Sequence, residues 1–146
     1  MKFRRGIFVV IYKVDKNKKI SYLLLKRHLH WKGWEFSKGG IEKNETEKQT
    51  VKREVKEESG LKHIKIRKYL LKGRYNYDKK TKQDRKFCGQ TYRLYSAQIN
   101  DGKVKIDKRE HSDYKWASFE KAMNMLEWKN QKQALKIVNR TLAKVY

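Results

Sequence analysis

The chain has 146 residues, with 39 Lys and Arg against 16 Asp and Glu, a formal net charge of +23, no proline and one cysteine. That length fits one domain over 1–146 whose core needs no covalent staple. Cys88 alone excludes an internal disulfide and suits a reducing, cytoplasmic compartment, and no apolar run reaches the ~20 residues of a membrane span.

Met1 to Arg5 is basic and Gly6 to Tyr12 apolar, partly like a signal peptide, but Lys13 and Asp15 follow at once with no small-residue cleavage site. A buried first strand is the better reading. Gly6 to Val14 and Ile20 to Lys26, rich in β-branched and aromatic residues and parted by Asp15 to Lys19, predict a hairpin. Residues 28–38, with Trp31, Trp34 and Phe36, read as an aromatic-rich loop. A helix is predicted from Glu45 or Thr46 to Ser59, with Thr46 as N-cap, Val51 and Val55 facing the core, and Gly60 just past its end. Strand-like segments follow at 63–77 and 86–99, divided by a basic loop from Asp78 to Arg85. Asn100-Asp101-Gly102 reads as a turn. A short strand at Tyr114 to Ala117 leads to Ser118, an N-cap for a helix over 119–127, and a last amphipathic helix spans 130–144 with Ala134, Leu135, Ile137, Val138, Leu142 and Val145 on its apolar side. Strands on either side of a central helix, with helices at the end, predict a mixed α/β layered domain.

The most informative stretch runs from Gly39 to Leu61 and reads G-x5-E-x7-R-E-U-x-E-E-x-G-U, where U is a bulky aliphatic residue. Glu54, Glu57 and Glu58 stand at i, i+3 and i+4, on one face of the predicted helix. Like charges so placed repel by a few tenths of a kcal/mol per pair. A divalent cation such as Mg²⁺ or Mn²⁺, which takes clustered hard oxygen ligands, removes that objection. The competing reading is a solvated helix face laced to Lys48, Lys52 and Lys56. Residues 39–61 hold six acids and five bases, so the net positive charge lies wholly elsewhere, with twelve bases against two acids between Lys62 and Arg93. An acidic spot in a basic field suits a polyanionic substrate steered to a metal, although compositional drift explains lysine richness equally well.

The 39–61 pattern resembles the signature of the Nudix hydrolases. The resemblance implies a Nudix-type α/β/α sandwich, a mixed β-sheet between helices, with 39–61 forming a loop–helix–loop. It also implies hydrolysis of a nucleoside diphosphate linked to another group, with Mg²⁺ or Mn²⁺, more than one ion, as cofactor. Carried over, Glu54, Glu57 and Glu58 are the metal ligands, with Gly39 beside them. Arg53 and Glu45 orient the cluster, and Gly39 and Gly60 let the loops close. Either Glu54 or a glutamate outside the box acts as the base. Two or more cations would neutralise phosphate oxygens and assist in-line displacement by water.

Within the family the resemblance points to dinucleoside tetraphosphate hydrolases and RNA 5′-pyrophosphohydrolases. Trp34 to Ile41 is similar to the segment leading into their box, with Ser37 in place of a proline, which loosens that loop, and Lys38 as a phosphate contact. Asn76-Tyr77 and Trp128-Lys129 resemble substrate-binding pairs of the tetraphosphate hydrolases, so that Tyr77 and Trp128 either stack on a base or are core and rim aromatics. Glu110-His111-Ser112-Asp113-Tyr114-Lys115-Trp116 resembles their E-H-x-x-Y-x-W run, which makes Glu110 a fourth metal ligand or the base. Gly89-Gln90 is similar to a pair in the RNA enzymes. His28, His30 and His63 show no metal-type spacing, and Cys88 reads as a small packed residue.

The function so implied is asymmetrical cleavage of diadenosine tetraphosphate to AMP and ATP by a monomeric enzyme with no membrane partner. The alternatives are attack on RNA 5′ ends or caps, a Nudix-fold nucleic-acid-binding module, and a diphosphoinositol polyphosphate hydrolase.

Overall fold

The computed structural model describes every residue except Met1 and Asp101, so the turn expected at Asn100-Asp101-Gly102 lies outside the described residues. The chain folds as β1 (Phe3–Arg4), β2 (Gly6–Val14), β3 (Ile20–Arg27), β4 (Gly33–Glu35), β5 (Ser37–Gly40), α1 (Glu47–Ser59), β6 (Ile64–Asn76), α2 (Lys79–Arg85), β7 (Gly89–Ile99), β8 (His111–Ala117), α3 (Phe119–Met125) and α4 (Lys129–Ala143). The strands form one mixed sheet. β7 runs parallel to β1 and β2 and antiparallel to β6, while β3 pairs antiparallel with β2, β4 and β8. No helix among the described residues is long and apolar enough to cross a membrane.

β2 explains the layering. Its residues Ile7 to Tyr12 are all buried, a continuous apolar run of the kind found where both faces of a strand are covered. Phe8, Val10 and Tyr12 pack with Leu135, Val138 and Leu142 of α4, whereas Ile7, Val9 and Ile11 pack with Val51 and Val55 of α1. Helices therefore cover both faces, the expected α/β/α sandwich. Val51 and Val55 are fully buried, which stabilises the docking of α1 by roughly 1.5–3 kcal/mol each.

α1 begins and ends as its sequence predicts. Thr46 Oγ1 accepts from the Gln49 N–H at 3.1 Å and Gln49 Oε1 accepts from the Thr46 N–H at 2.8 Å, a reciprocal capping box. Gly60 at φ 75° closes the helix in the left-handed region, its N–H donating to the Lys56 carbonyl at 2.8 Å.

Several expectations are corrected. Residues 28–38 are not simply loop, because β4 pairs with β3 and β5 pairs with β2. Ser37 sits in β5 opposite Val9, so ladder hydrogen bonds hold the segment that the missing proline was expected to loosen. Asp78 to Arg85 is not a loop. Asp78 caps α2, accepting from the Thr81 N–H at 2.8 Å, so a local side-chain bond starts a helix in a lysine-rich segment. The strand expected at 63–77 is present as β6, one long edge strand whose register shifts between Lys68 and Lys72. β7 starts only at Gly89, and β8 starts at His111, three residues before the expected Tyr114. Val145 lies beyond α4 and is 62% exposed.

Candidate active site

β5 sets the site by strand alternation. Lys38 stands opposite Phe8, and Gly39 opposite Ile7, so Gly39 lies on the sheet face covered by α1. A Cβ on Gly39 would come within 2.1 Å of the Glu54 carboxyl carbon. The absent Cβ leaves the space that the Glu54 carboxylate occupies. Gly39→Ala is expected to displace Glu54, lowering both turnover and the Mg²⁺ affinity measured by titration calorimetry. Unchanged values in both would remove Gly39 from the site.

One cavity contains Glu54, Glu57, Glu58 and Glu110 together with Gly39 and Lys38. The helix supplies the first three, and the turn before β8 supplies Glu110. That turn is tied to the end of β3, since the Glu110 carbonyl accepts from the His28 N–H at 3.0 Å. Arg53 braces the helix acids. Its Nε donates to Glu45 Oε2 at 2.8 Å, Nη1 to Glu54 Oε1 at 2.7 Å, and Nη2 to the Gly40 carbonyl at 2.9 Å and Glu45 Oε1 at 2.9 Å. The forked guanidinium thus ties α1 to the strand and loop before it. Glu45, held by Arg53 and Thr50, has its carboxyl lowered to about 2.

Glu58 is 2% exposed, and burial together with Glu54 pushes its carboxyl well above the ordinary 4.5. Glu54 is raised too, chiefly by burial. Glu58 Oε1 accepts from the Lys38 N–H at 3.3 Å, but Oε2 is buried with no hydrogen-bond partner. Ligand atoms of Glu58, Glu110 and His111 lie within 4.8 Å of one another. A partnerless buried oxygen among convergent carboxylates fits a hard divalent cation, which would replace the missing partner and the shared repulsion at once.

Behind these acids lies an ionic cage that the sequence reading missed. Glu35 is 0% exposed; its Oε2 sits 2.8 Å from His111 Nε2 and 3.1 Å from Arg27 Nη1, and its Oε1 lies 3.3 Å from Lys38 Nζ. His111 Nε2 is also 3.9 Å from Glu58 Oε2, and Arg27 Nη1 is 3.9 Å from Glu110 Oε2. The available signal was a charge within apolar runs, Glu35 between Trp34 and Phe36 and Arg27 ending β3.

A second cavity of about 280 Å³ is lined by Trp31, Trp128, Tyr77 and Asn76 among others. Trp128 is 48% exposed and meets Trp31 edge-on at 5.4 Å. Tyr77 is buried, its hydroxyl donating to Gln90 Oε1 at 2.8 Å, and the Arg85 guanidinium covers its ring at 5.0 Å. Arg27, Lys38, Tyr75 and Arg85 line both cavities, which are therefore neighbours with common walls. Trp31 was not foreseen as a wall. Lys129, the first residue of α4, is exposed and walls neither cavity. His30 lines the aromatic cavity, His28 Nε2 meets the Lys108 carbonyl at 2.8 Å, and His63 is exposed.

Residues 2–140 match the NUDIX domain. The chain is 30% identical over 137 residues to the bis(5′-nucleosyl)-tetraphosphatase [asymmetrical] of Sus scrofa, covering 91% of this chain and 85% of that protein. It is 27% identical over 123 residues to an RNA pyrophosphohydrolase of Nitratiruptor sp., covering 81% and 79%. Among solved structures, a C. elegans Ap4A hydrolase binary complex superposes with a TM-score of 0.79 at 23% identity over 97% of this chain and 98% of that one, a likeness of fold.

Proposed function

Because this chain belongs to the Nudix hydrolase family and so acts on pyrophosphate bonds, we propose that its substrate is a dinucleoside tetraphosphate, which it splits asymmetrically with one water into a nucleoside monophosphate and a nucleoside triphosphate. The observation that carries this is an aromatic cavity adjoining a carboxylate cavity, with Arg27, Lys38 and Arg85 among the walls they share. A nucleoside held against Trp128 would direct its phosphates past Arg85 and Lys38 towards the acids, while Tyr77, buried with Arg85 over its ring, serves as a rim aromatic and not as a stacking face. Each base–aromatic face would contribute roughly 1–3 kcal/mol.

Glu54, Glu57 and Glu58 would hold divalent cations, which would supply charge neutralisation on phosphate oxygens and a more acidic water. Lys38 contacts phosphate. Glu110, at 34% exposure the more open carboxylate beside buried Glu58, accepts the proton of the attacking water. Arg53 acts through Glu54 and Glu45 as a positioning residue.

Incubation with diadenosine tetraphosphate, a nucleoside triphosphate and triphosphorylated RNA in ¹⁸O-labelled water tests the reading. Release of AMP and ATP, at a rate well above cleavage of the other two, is the expected result; faster release of pyrophosphate from RNA would replace it with RNA 5′-end hydrolysis. Trp128→Ala is expected to raise KM for the dinucleotide by about tenfold, the worth of one lost stacking face. An unchanged KM would remove Trp128 from the nucleoside site.

A further inference from the structure

A third concavity lies outside both cavities, on the α1 face of the sheet. It is walled by Arg5, Lys72, Arg74, Thr91 and Arg93, with Glu47 as the single acid. Its origin is the register of β6 on β7. Lys72 stands opposite Arg93 and Arg74 opposite Thr91, so these side chains share one face beyond the part of the sheet that α1 covers. Before the register shift that face carries Ile64, Ile66 and Lys68, and the two isoleucines pack in the α1 core. After it the face turns cationic and stays open.

The charge is not internally neutralised. Glu47 Oε2 lies 3.3 Å from Arg93 Nε, Glu47 Oε1 lies 3.8 Å from Lys68 Nζ, and the Tyr95 hydroxyl donates to Glu47 as well. One carboxylate is thus shared among three partners, while Lys72, Arg74 and Arg5 stay exposed. The groove also adjoins the carboxylate cavity. Arg4, Gly40 and Gln90 wall that cavity, and the next residues along the chain, Arg5, Ile41 and Thr91, wall the groove.

We propose that this groove binds the sugar–phosphate backbone of single-stranded RNA. Its cations lie in a row along β6 and across to β7, which suits a linear polyanion more than a membrane sheet of headgroups. The inference is independent of the tetraphosphate reading, since it concerns binding and not cleavage.

The test is fluorescence anisotropy with a labelled oligouridylate of about ten nucleotides bearing a 5′-hydroxyl, in EDTA, so that the probe is neither cleaved nor anchored by a polyphosphate. Four engaged cations predict a slope of about 3 for log Kd against log salt. Lys72→Glu with Arg74→Glu should weaken binding at least tenfold and flatten that slope, while Lys136→Glu with Arg140→Glu on exposed positions of α4, an equal change in net charge, should shift Kd less than twofold. Circular dichroism spectra and melting temperatures matching the wild type verify that both pairs fold, whatever the substrate of the active site. Equal weakening by both pairs would overturn the groove in favour of a diffuse field, and absence of wild-type binding at low salt would overturn it outright. Anionic vesicle binding abolished by the β6 pair, with RNA affinity unchanged, would also overturn it.

Discussion

Glu58→Gln is expected to lower kcat by about 10²–10³-fold, the range lost when one electrostatic partner of a developing charge is removed, while the metal-free protein folds at least as stably as the wild type. The two effects part because Glu58 is a buried acid beside Glu54, with one oxygen lacking any hydrogen-bond partner. Its folded carboxyl titrates above the unfolded 4.5, so in the window between the two the folded state holds the extra proton. Metal-free stability must therefore fall as pH rises from 4.5 through the raised value. Thermal denaturation in EDTA should show that decline in the wild type and a smaller one in Glu58→Gln, where the burial-raised Glu54 remains. Added Mg²⁺ should reverse it only in the wild type. A variant that keeps wild-type turnover, or a wild type whose melting temperature ignores both pH and Mg²⁺, would remove Glu58 from the metal site.

Glu35→Gln should cost about 3 kcal/mol of stability. Burial pushes this carboxyl up, but Lys38, the hydrogen bond from His111 and Arg27 together outweigh it and hold it at about 2, against an ordinary 4.5. A shift of that size corresponds to about 3 kcal/mol. The same figure follows from stranding Lys38, Arg27 and His111 around a neutral amide, since breaking a buried ion pair costs ~3–5 kcal/mol. Because the folded value is depressed, the contribution is complete above 4.5 and is lost as pH falls towards about 2. Urea denaturation at pH 7 and at pH 3 measures both parts, and the gap between wild type and variant should shrink at the lower pH. Equal stability at pH 7 would mean that the cage does not hold Lys38 and His111 in place.

The acids of α1 were legible because their relation is local. Positions i, i+3 and i+4 share a helical face whatever surrounds the helix, and the capping residues Thr46 and Gly60 mark its ends within the same stretch. The α2 helix was missed because seven residues of mostly basic sequence show no apolar period, and one Asp78 cap carries the start. β4 and β5 were missed because three- and four-residue strands have too few alternations to read.

Glu110 entered from the sequence only through the run that contains it, and its neighbour His111 passed without a role. The contact that gives His111 its role joins it to Glu35, 76 positions away in the chain. β3 brings them together by pairing with β4 on one register and β8 on another, with Leu25 opposite both Glu35 and Tyr114. No spacing rule encodes such a meeting. Trp31 and Trp128, 97 positions apart, likewise come together only through the packing of α4 on the sheet.

The sequence by itself determined that Glu54, Glu57 and Glu58 share one helix face, which needs only the helix period, and its resemblance to the Nudix signature supplied the chemistry. It also determined the excess of positive charge, which is a sum and has no geometry. The tertiary structure decided where that charge acts. Sheet register pairs buried Glu35 with Lys38, sets Arg27, Lys38 and Tyr75 as walls common to two cavities, and leaves Lys72, Arg74 and Arg93 on an uncovered face. The physical reason is that register is set by pairing between distant strands, and a shift of one residue would turn every one of those side chains to the opposite face.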